Sequence, residues 1–178
     1  RGAIYHHFKG KEEVMDAVTT YMFNEMTIDQ EIKADVSLNG LEKLQKIFIT
    51  SITNEELIQM YMLLCQNFYK SPKLVSAYLQ DCQRSVIPMI KFYIDVGILD
   101  GSIRATDTEV TDSEVLAELV TIFSDIWLSP MLFKTTAEKF MLKVKYIRVM
   151  LESICFQLLY DDVIAAIDMA AVILYKKE

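Results

Sequence analysis

The residues best equipped for chemistry stand together at the start of the chain, in RGAIYHHFKGKEEVMDAV. On a helical wheel Ile4 and Phe8 fall one turn apart on an inward face, while Gly2 and His6 point away, with Ala3, Tyr5 and His7 flanking them. Gly2 and Ala3 carry so little side chain that the backbone there can come close to base edges. Tyr5, His6 and His7 offer donors to phosphate oxygens, and Lys9 and Lys11 add positive charge beside the start of a second helix. Such a face fits a nucleic-acid duplex. The same residues also fit a short solvated surface helix and turn.

Charge is distributed to match. Arg1, Lys9 and Lys11 give residues 1–11 a charge of +3 with no acid among them, so residues 12–178 carry −10 of the chain's net −7. One end can meet a polyanion and the remainder would be repelled by it.

Catalytic chemistry finds little to work with. The only histidines are the adjacent His6 and His7, so no Glu-x-x-His pair forms, and no nucleophile–base grouping or glycine-rich phosphate loop is present. The sequence is read as a non-enzyme with no cofactor and no bound metal. Cys65, Cys82 and Cys155 are isolated, odd in number and set among apolar neighbours, which predicts reduced, buried thiols and a cytoplasmic protein. A second kind of chemistry, apolar ligand binding, has candidates on the middle helices. Tyr61, Phe68, Tyr78, Phe92, Tyr93, Phe123 and Trp127, with Met60, Met62 and Met89, are the adaptable and aromatic side chains that line such sites, although each also serves as ordinary core. No cluster of basic residues is available there for a strongly anionic ligand, so a hydrophobic or amphipathic one is expected.

The elements that must position these residues are all helical. The chain has 178 residues, 52% of them hydrophobic, with 5 Gly and 3 Pro, which suits one domain, or one with a small appended module, and disfavours disorder and turn-rich β folds. Apolar positions recur at spacings of three and four, with no sustained alternation of period two and no internal repeat. The longest uncharged, mostly apolar run, Leu57 to Tyr69, is too short to span a bilayer, and no secretory signal pattern is visible. The acidic polar faces of the helices would be repelled by anionic lipid.

In order, Gly10 ends a short first helix and Lys11-Glu12-Glu13 opens a second reaching toward Ile32. Asn39-Gly40 breaks the pattern before a helix with Leu41, Leu44, Phe48 and Ile52 on one face. Thr53 to Glu56 then caps a helix from Leu57 to Tyr69, and Ser71-Pro72 starts the next. Pro88 is expected to kink or end that helix, and Gly97 to close it. Residues 99–113 read as a surface loop. A further helix presents Val115, Leu119, Ile122, Phe123 and Ile126 on one face and Glu114, Glu118, Thr121 and Asp125 on the other, disturbed near its end by Ser129-Pro130. The longest helix is predicted from Thr136 to about Tyr160, with a seam of Phe140, Val144, Ile147, Leu151, Ile154 and Leu158 and a second half apolar almost all round. A last helix runs from Asp162 to Tyr175.

The opening stretch resembles the end of the helix-turn-helix and the start of the following helix in the TetR family of bacterial transcriptional regulators. That family often reads close to GxxYxHFxxKEEL, and Gly2, Tyr5, His7, Phe8, Lys11, Glu12 and Glu13 stand where the pattern puts them. The stretch Gly97 to Asp107, GILDGSIRATD, is similar to the family's turn before its dimerisation helices. The likeness of motif covers about eighteen residues; the rest agrees in helical character. The resemblance implies that residues 1–20 are the C-terminal part of a helix-turn-helix DNA-binding domain, and that residues 21–178 form a helical effector-binding and dimerisation domain. By that resemblance Arg1, Gly2 and Ala3 approach bases, and Tyr5, His6, His7 and Lys11 hold the backbone of palindromic operator DNA, with Lys9 adding charge. A homodimer is implied through the helices around 114–128 and 136–160, placing two recognition helices roughly 34–36 Å apart. A small-molecule effector would then lower DNA affinity, the family's commoner habit being repression. The family's first helix and half of the helix-turn-helix would precede Arg1, so the numbering is expected to begin inside a longer chain, and residues 1–178 by themselves are expected to bind DNA poorly or not at all. A helical carrier for apolar small molecules, with no DNA role, is the other reading.

Overall fold

A computed structural model of the chain describes residues 10, 13–14, 17, 27–68, 72–104, 112–130 and 132–175. Among them every regular element is helical and there is no strand, as the three-and-four spacing predicts. Glu13, Val14 and Ala17 are helical, and the Val14 N–H donates to the Gly10 carbonyl at 3.3 Å, so a helix does open after Gly10. The described helices are α1 (Thr27–Ala34), α2 (Gly40–Thr53), α3 (Glu55–Asn67), α4 (Pro72–Asp81), α5 (Ile87–Asp100), α6 (Ser113–Thr121), α7 (Ala137–Ser153) and α8 (Asp161–Leu174). Two wide π-helical segments are spliced in, Cys82–Val86 between α4 and α5 and Ile122–Trp127 after α6.

Local chemistry starts most of these helices. Asn39 accepts from the Glu42 N–H while the Glu42 carboxylate accepts from the Asn39 N–H, a reciprocal cap at the head of α2. Asn54, Asp112 and Thr136 cap α3, α6 and α7 with their side chains in the same way. Tertiary packing then sets the order in space: α5 lies against α2 and α6, α2 against α8, and α7 against α8. The core along α5 includes Ile90, Tyr93 and Ile94, which meet Leu44 and Ile47 of α2 and Ala117 and Val120 of α6.

Where α2 and α5 cross, backbone touches backbone. A Cβ at Gly40 would stand 2.1 Å from the Gly97 nitrogen, closer than any non-bonded contact allows, so only glycine fits. The Gly40 N–H donates to Asp100 Oδ2 at 2.7 Å and the Leu41 N–H to Ser102 Oγ at 3.1 Å, which satisfies donors at the helix start from across the interface. Gly97 therefore does not close its helix as its type suggests. The helix continues to Asp100, and Gly101, with φ of 79°, supplies the left-handed cap.

Three further expectations change. Pro88 neither ends nor interrupts the helical run, because the wide turn lies just before it: the Ile87 N–H reaches back five residues to the Cys82 carbonyl, and Pro88 sits in the first turn of α5, where its missing donor costs little. The helix predicted to Tyr160 stops at Ser153. Cys155 takes a positive φ of 59°, and the Phe156 N–H returns to the Leu151 carbonyl at 2.9 Å. Phe156 and Leu158 then plug the core from a non-helical segment, held by the buried Gln45 amide donating to the Leu158 carbonyl at 3.1 Å. The apolar run after Val149 is thus a core-filling strap, and the seam positions Ile154 and Leu158 leave the helix. Lastly, Cys82 is buried as expected, Cys155 is exposed, and Cys65 lies outside the residues whose side chains are described.

Candidate functional site

Seven helices border a partly open cavity of about 300 Å³. Ile47 of α2, Leu57 of α3, Tyr78 of α4, Met89 of α5, Val120 of α6, Phe140 of α7 and Val163 of α8 all face it, and Leu158 of the strap closes one side. The lining is almost wholly apolar, the form usual for small-molecule sites. Both π segments border it, through Val86 of the first and Phe123, Ser124 and Asp125 of the second. A π turn carries one extra residue per turn and displaces the face that follows, and such bulges concentrate at functional positions.

The few polar groups in the wall are mostly tied to the scaffold. Ser51 donates to the Ile47 carbonyl at 2.8 Å. Tyr61 and the buried Ser129 join hydroxyls at 2.8 Å, and the Tyr78 hydroxyl donates to the Asp125 main-chain carbonyl at 2.8 Å, bracing α4 against the second π turn. Asp125 is the exception. Protein covers most of it, and it is one of the residues that line the cavity. Burial pushes its carboxyl up to about 6, a hydrogen bond with Ser124 pulling the other way. Ser124 Oγ lies 2.5 Å from Asp125 Oδ2 and 3.0 Å from the Val120 carbonyl. One hydroxyl hydrogen serves only one of these acceptors fully, so the chain of bonds is completed when Asp125 carries a proton and donates to Ser124, which donates to Val120. The neighbouring groups stay neutral: burial first, and then the Asp125 charge, hold Tyr78 well above the ordinary phenol value, and the same two causes push Cys82 up to about 12.

Of the aromatic residues singled out from sequence, Tyr61, Tyr78 and Phe123 line the cavity, as does Met89. Phe68 stands behind Tyr78, edge to face with ring centroids 5.6 Å apart, and Trp127 stands behind Phe123 at 6.1 Å. The Lys143 ammonium lies over the Trp127 ring at 5.7 Å and donates to its carbonyl at 2.8 Å. Phe92 and Tyr93 belong elsewhere. Phe92 is exposed with Lys33 above its ring, and Tyr93 is fully buried with its hydroxyl on Asp29 at 2.6 Å, tying α5 to α1. Met62 is exposed, and the Met60 side chain lies outside the described residues. So do Arg1, Gly2, Ala3, Tyr5, His6, His7, Lys9 and Lys11, the residues assigned to DNA.

Sequence reasoning missed Asp125 and Thr121, which a regular helix would place on a solvated face with Glu114 and Glu118. Thr121 is buried, donating to the Ala117 carbonyl at 2.8 Å, and the π turn that begins at Ile122 carries Asp125 round to the cavity. The signal available was one acid inside an otherwise uncharged stretch, IFSDIWLSPMLF. Contributions from α8, Val163, Ile167 and Ala170, were missed as well, because the small and β-branched residues of that helix read as generic core.

No helix among the described residues is long and apolar enough to cross a membrane. No family model matches the chain. It is similar to an uncharacterized HTH-type transcriptional regulator, YhgD, of Bacillus subtilis (strain 168), 27% identical over 126 residues that make up 70% of this chain and 66% of that protein, just under two thirds of its length.

Proposed function

We propose that the chain belongs to a TetR-family DNA-binding transcriptional regulator, with residues 1–20 in the C-terminal part of a helix-turn-helix domain and residues 21–178 forming a helical effector-binding and dimerisation domain. The observation that carries this reading is the apolar cavity bordered by seven helices, in a chain similar to a helix-turn-helix-type regulator and opening on a tyrosine, histidine and lysine motif suited to phosphates. A ligand filling that space would shift the helices around it relative to one another, and such a shift in a two-fold dimer changes the spacing of its DNA-reading ends. The protein is accordingly a cytoplasmic repressor released from a palindromic operator by a small hydrophobic or amphipathic effector.

The homodimer forms through the helices around 114–128 and 136–160. Support comes from apolar side chains left in the open there: Val115 and Ile122 along α6 and its π turn, and Leu142, Tyr146 and Val149 along α7. Met169, Val172 and Ile173 extend the apolar surface onto α8, with Leu142 and Val172 bordering one shallow groove between the two helices.

The test is fluorescence-anisotropy binding of the complete protein to the duplex flanking its own gene, at two salt concentrations, beside a Tyr5→Ala, His7→Ala double variant. Salt-sensitive binding that the variant loses is expected, since neutralised phosphates release counterions. No binding by a folded dimer at low salt would overturn the regulator and leave a helical carrier of apolar molecules.

A further inference from the structure

We infer that the cavity selects apolar cations, organic ammonium or similarly charged lipophilic molecules, and that Asp125 is the counter-ion that holds them. This rests on the proposal that the cavity receives an effector, and it adds the chemical class.

Three observations converge. Asp125 faces a cavity otherwise lined by hydrocarbon, aromatic rings and hydroxyls, and none of the described lining residues is a lysine, arginine or histidine. Buried carboxylates are as a rule paired with a cation, because an unpaired one loses its hydration without return. Among the described residues the carboxyl is bonded to the Ser124 hydroxyl alone, and Lys143 of α7, which reaches the end of the second π turn, is committed to the Trp127 carbonyl and to the faces of Trp127 and Phe133. Secondly, the cavity offers a cation more than one charge. The rings of Tyr61, Tyr78 and Phe123 line the same space, and their faces attract positive charge while accepting alkyl surface. Thirdly, the wall around Asp125 is apolar, and protein covers most of the carboxyl. A neutral guest gains only apolar burial, whereas a cation gains that and the attraction of a carboxylate that has few other partners.

Protonation provides a second handle. Among the described residues Tyr78 on α4 and Cys82 in the first π turn feel the Asp125 charge, with Tyr61 on α3 lining the same cavity, and Tyr78 and Cys82 are held neutral through the accessible pH range. Asp125 is thus the group among them that changes charge near pH 6. A permanently charged guest competes with a proton for it, so its binding strengthens as pH rises from 5 to 7 and then levels off.

The experiment titrates the 178-residue chain with decyltrimethylammonium, decanol and decanoate below their micelle-forming concentrations, following the fluorescence of its single tryptophan, Trp127, two residues from Asp125. The ammonium is expected to bind at least about tenfold tighter than decanol at pH 7.5, with decanoate weakest. Asp125→Asn is expected to remove the preference by weakening the ammonium about tenfold while leaving decanol unchanged. The wild-type protein supplies an independent reading: ammonium affinity falls between pH 7 and pH 5 and decanol affinity does not. Equal binding of decanol and the ammonium, insensitive to Asp125→Asn and to pH, would overturn the cation proposal and leave the cavity as an apolar effector site. Failure of all three to bind would overturn the cavity as a ligand site as well.

Discussion

Two interior regions of this molecule, both bordered by α2 and α5, are built on opposite terms. At the crossing of α2 and α5 the backbones touch at Gly40 and Gly97, and donors of the incoming helix are met by Asp100 and Ser102. In the cavity a few residues away, about 300 Å³ stands open and Asp125 has a hydroxyl where a cation would serve better. Close packing with every polar group satisfied is what stability requires. Space and an uncompensated charge are what a ligand requires. The difference separates a frame, at the glycine crossing, from the region proposed above as the receptor.

The comparison is most severely strained by adding one carbon to the frame. Gly40→Ala drives a methyl group into the Gly97 backbone, which cannot yield without separating α2 from α5, and should cost about 3 kcal/mol, at the upper end for overpacking. Thermal unfolding would register a fall of roughly 6–12 °C for a chain of this size. A Gly40→Ala variant as stable as the parent would mean that the two helices do not cross as described.

Asp125→Asn acts in the opposite direction on the receptor. The folded carboxyl is raised above its unfolded value of 3.8, so the folded state holds its proton longer and the parent loses stability as pH climbs from about 4 to above 6. Asparagine escapes that loss. Denaturant unfolding should find the two proteins alike near pH 4 and the variant ahead by about 2 kcal/mol at pH 8, less than the full shift implies because Asp125 keeps part of its surface exposed and its charge partly screened. A variant that is less stable at pH 8 would show the carboxylate to be paired.

The smallest effect sharpens the contrast. Ala170→Leu adds three carbons where α8 borders the open space, and should change stability by less than about 1 kcal/mol, because a void accepts volume that the glycine crossing does not. Decanol binding should fall by about tenfold in the same protein. A loss of stability as large as that of Gly40→Ala would erase the distinction between the two regions.

The legible parts of the chain are those whose cause is local. Asn39, Asn54 and Asp112 cap helices through bonds to main chain two or three residues on, so short sequence windows contain both partners. Apolar spacing likewise identifies Leu41, Leu44, Val144, Ile147 and Leu151 as buried faces, and they are, whereas Phe48 and Ile52, read on the same face as Leu44, are only partly buried. The aromatic character of a pocket was also visible in Tyr61, Tyr78 and Phe123. Their kinship with Phe92 and Tyr93 was not separable, because a wheel reports which face a ring occupies and not which neighbour covers it. Phe92 opens to solvent and Tyr93 goes to Asp29, 64 residues away.

What the sequence by itself determined, then, is the helical class, most helix starts, the apolar faces and the charge contrast between the first eleven residues and the rest. Each follows from a period, a cap or a count. Only tertiary structure decided that Gly97 is a contact and Gly101 the cap, that two wide turns insert around Pro88 and after Thr121, that Cys155 ends α7 so that Phe156 and Leu158 can fill the core, and that Asp125 faces inward. These depend on partners 40 or more residues away, such as Gly40 for Gly97 and Tyr78 for the Asp125 carbonyl, whose packing energy overrides local preference.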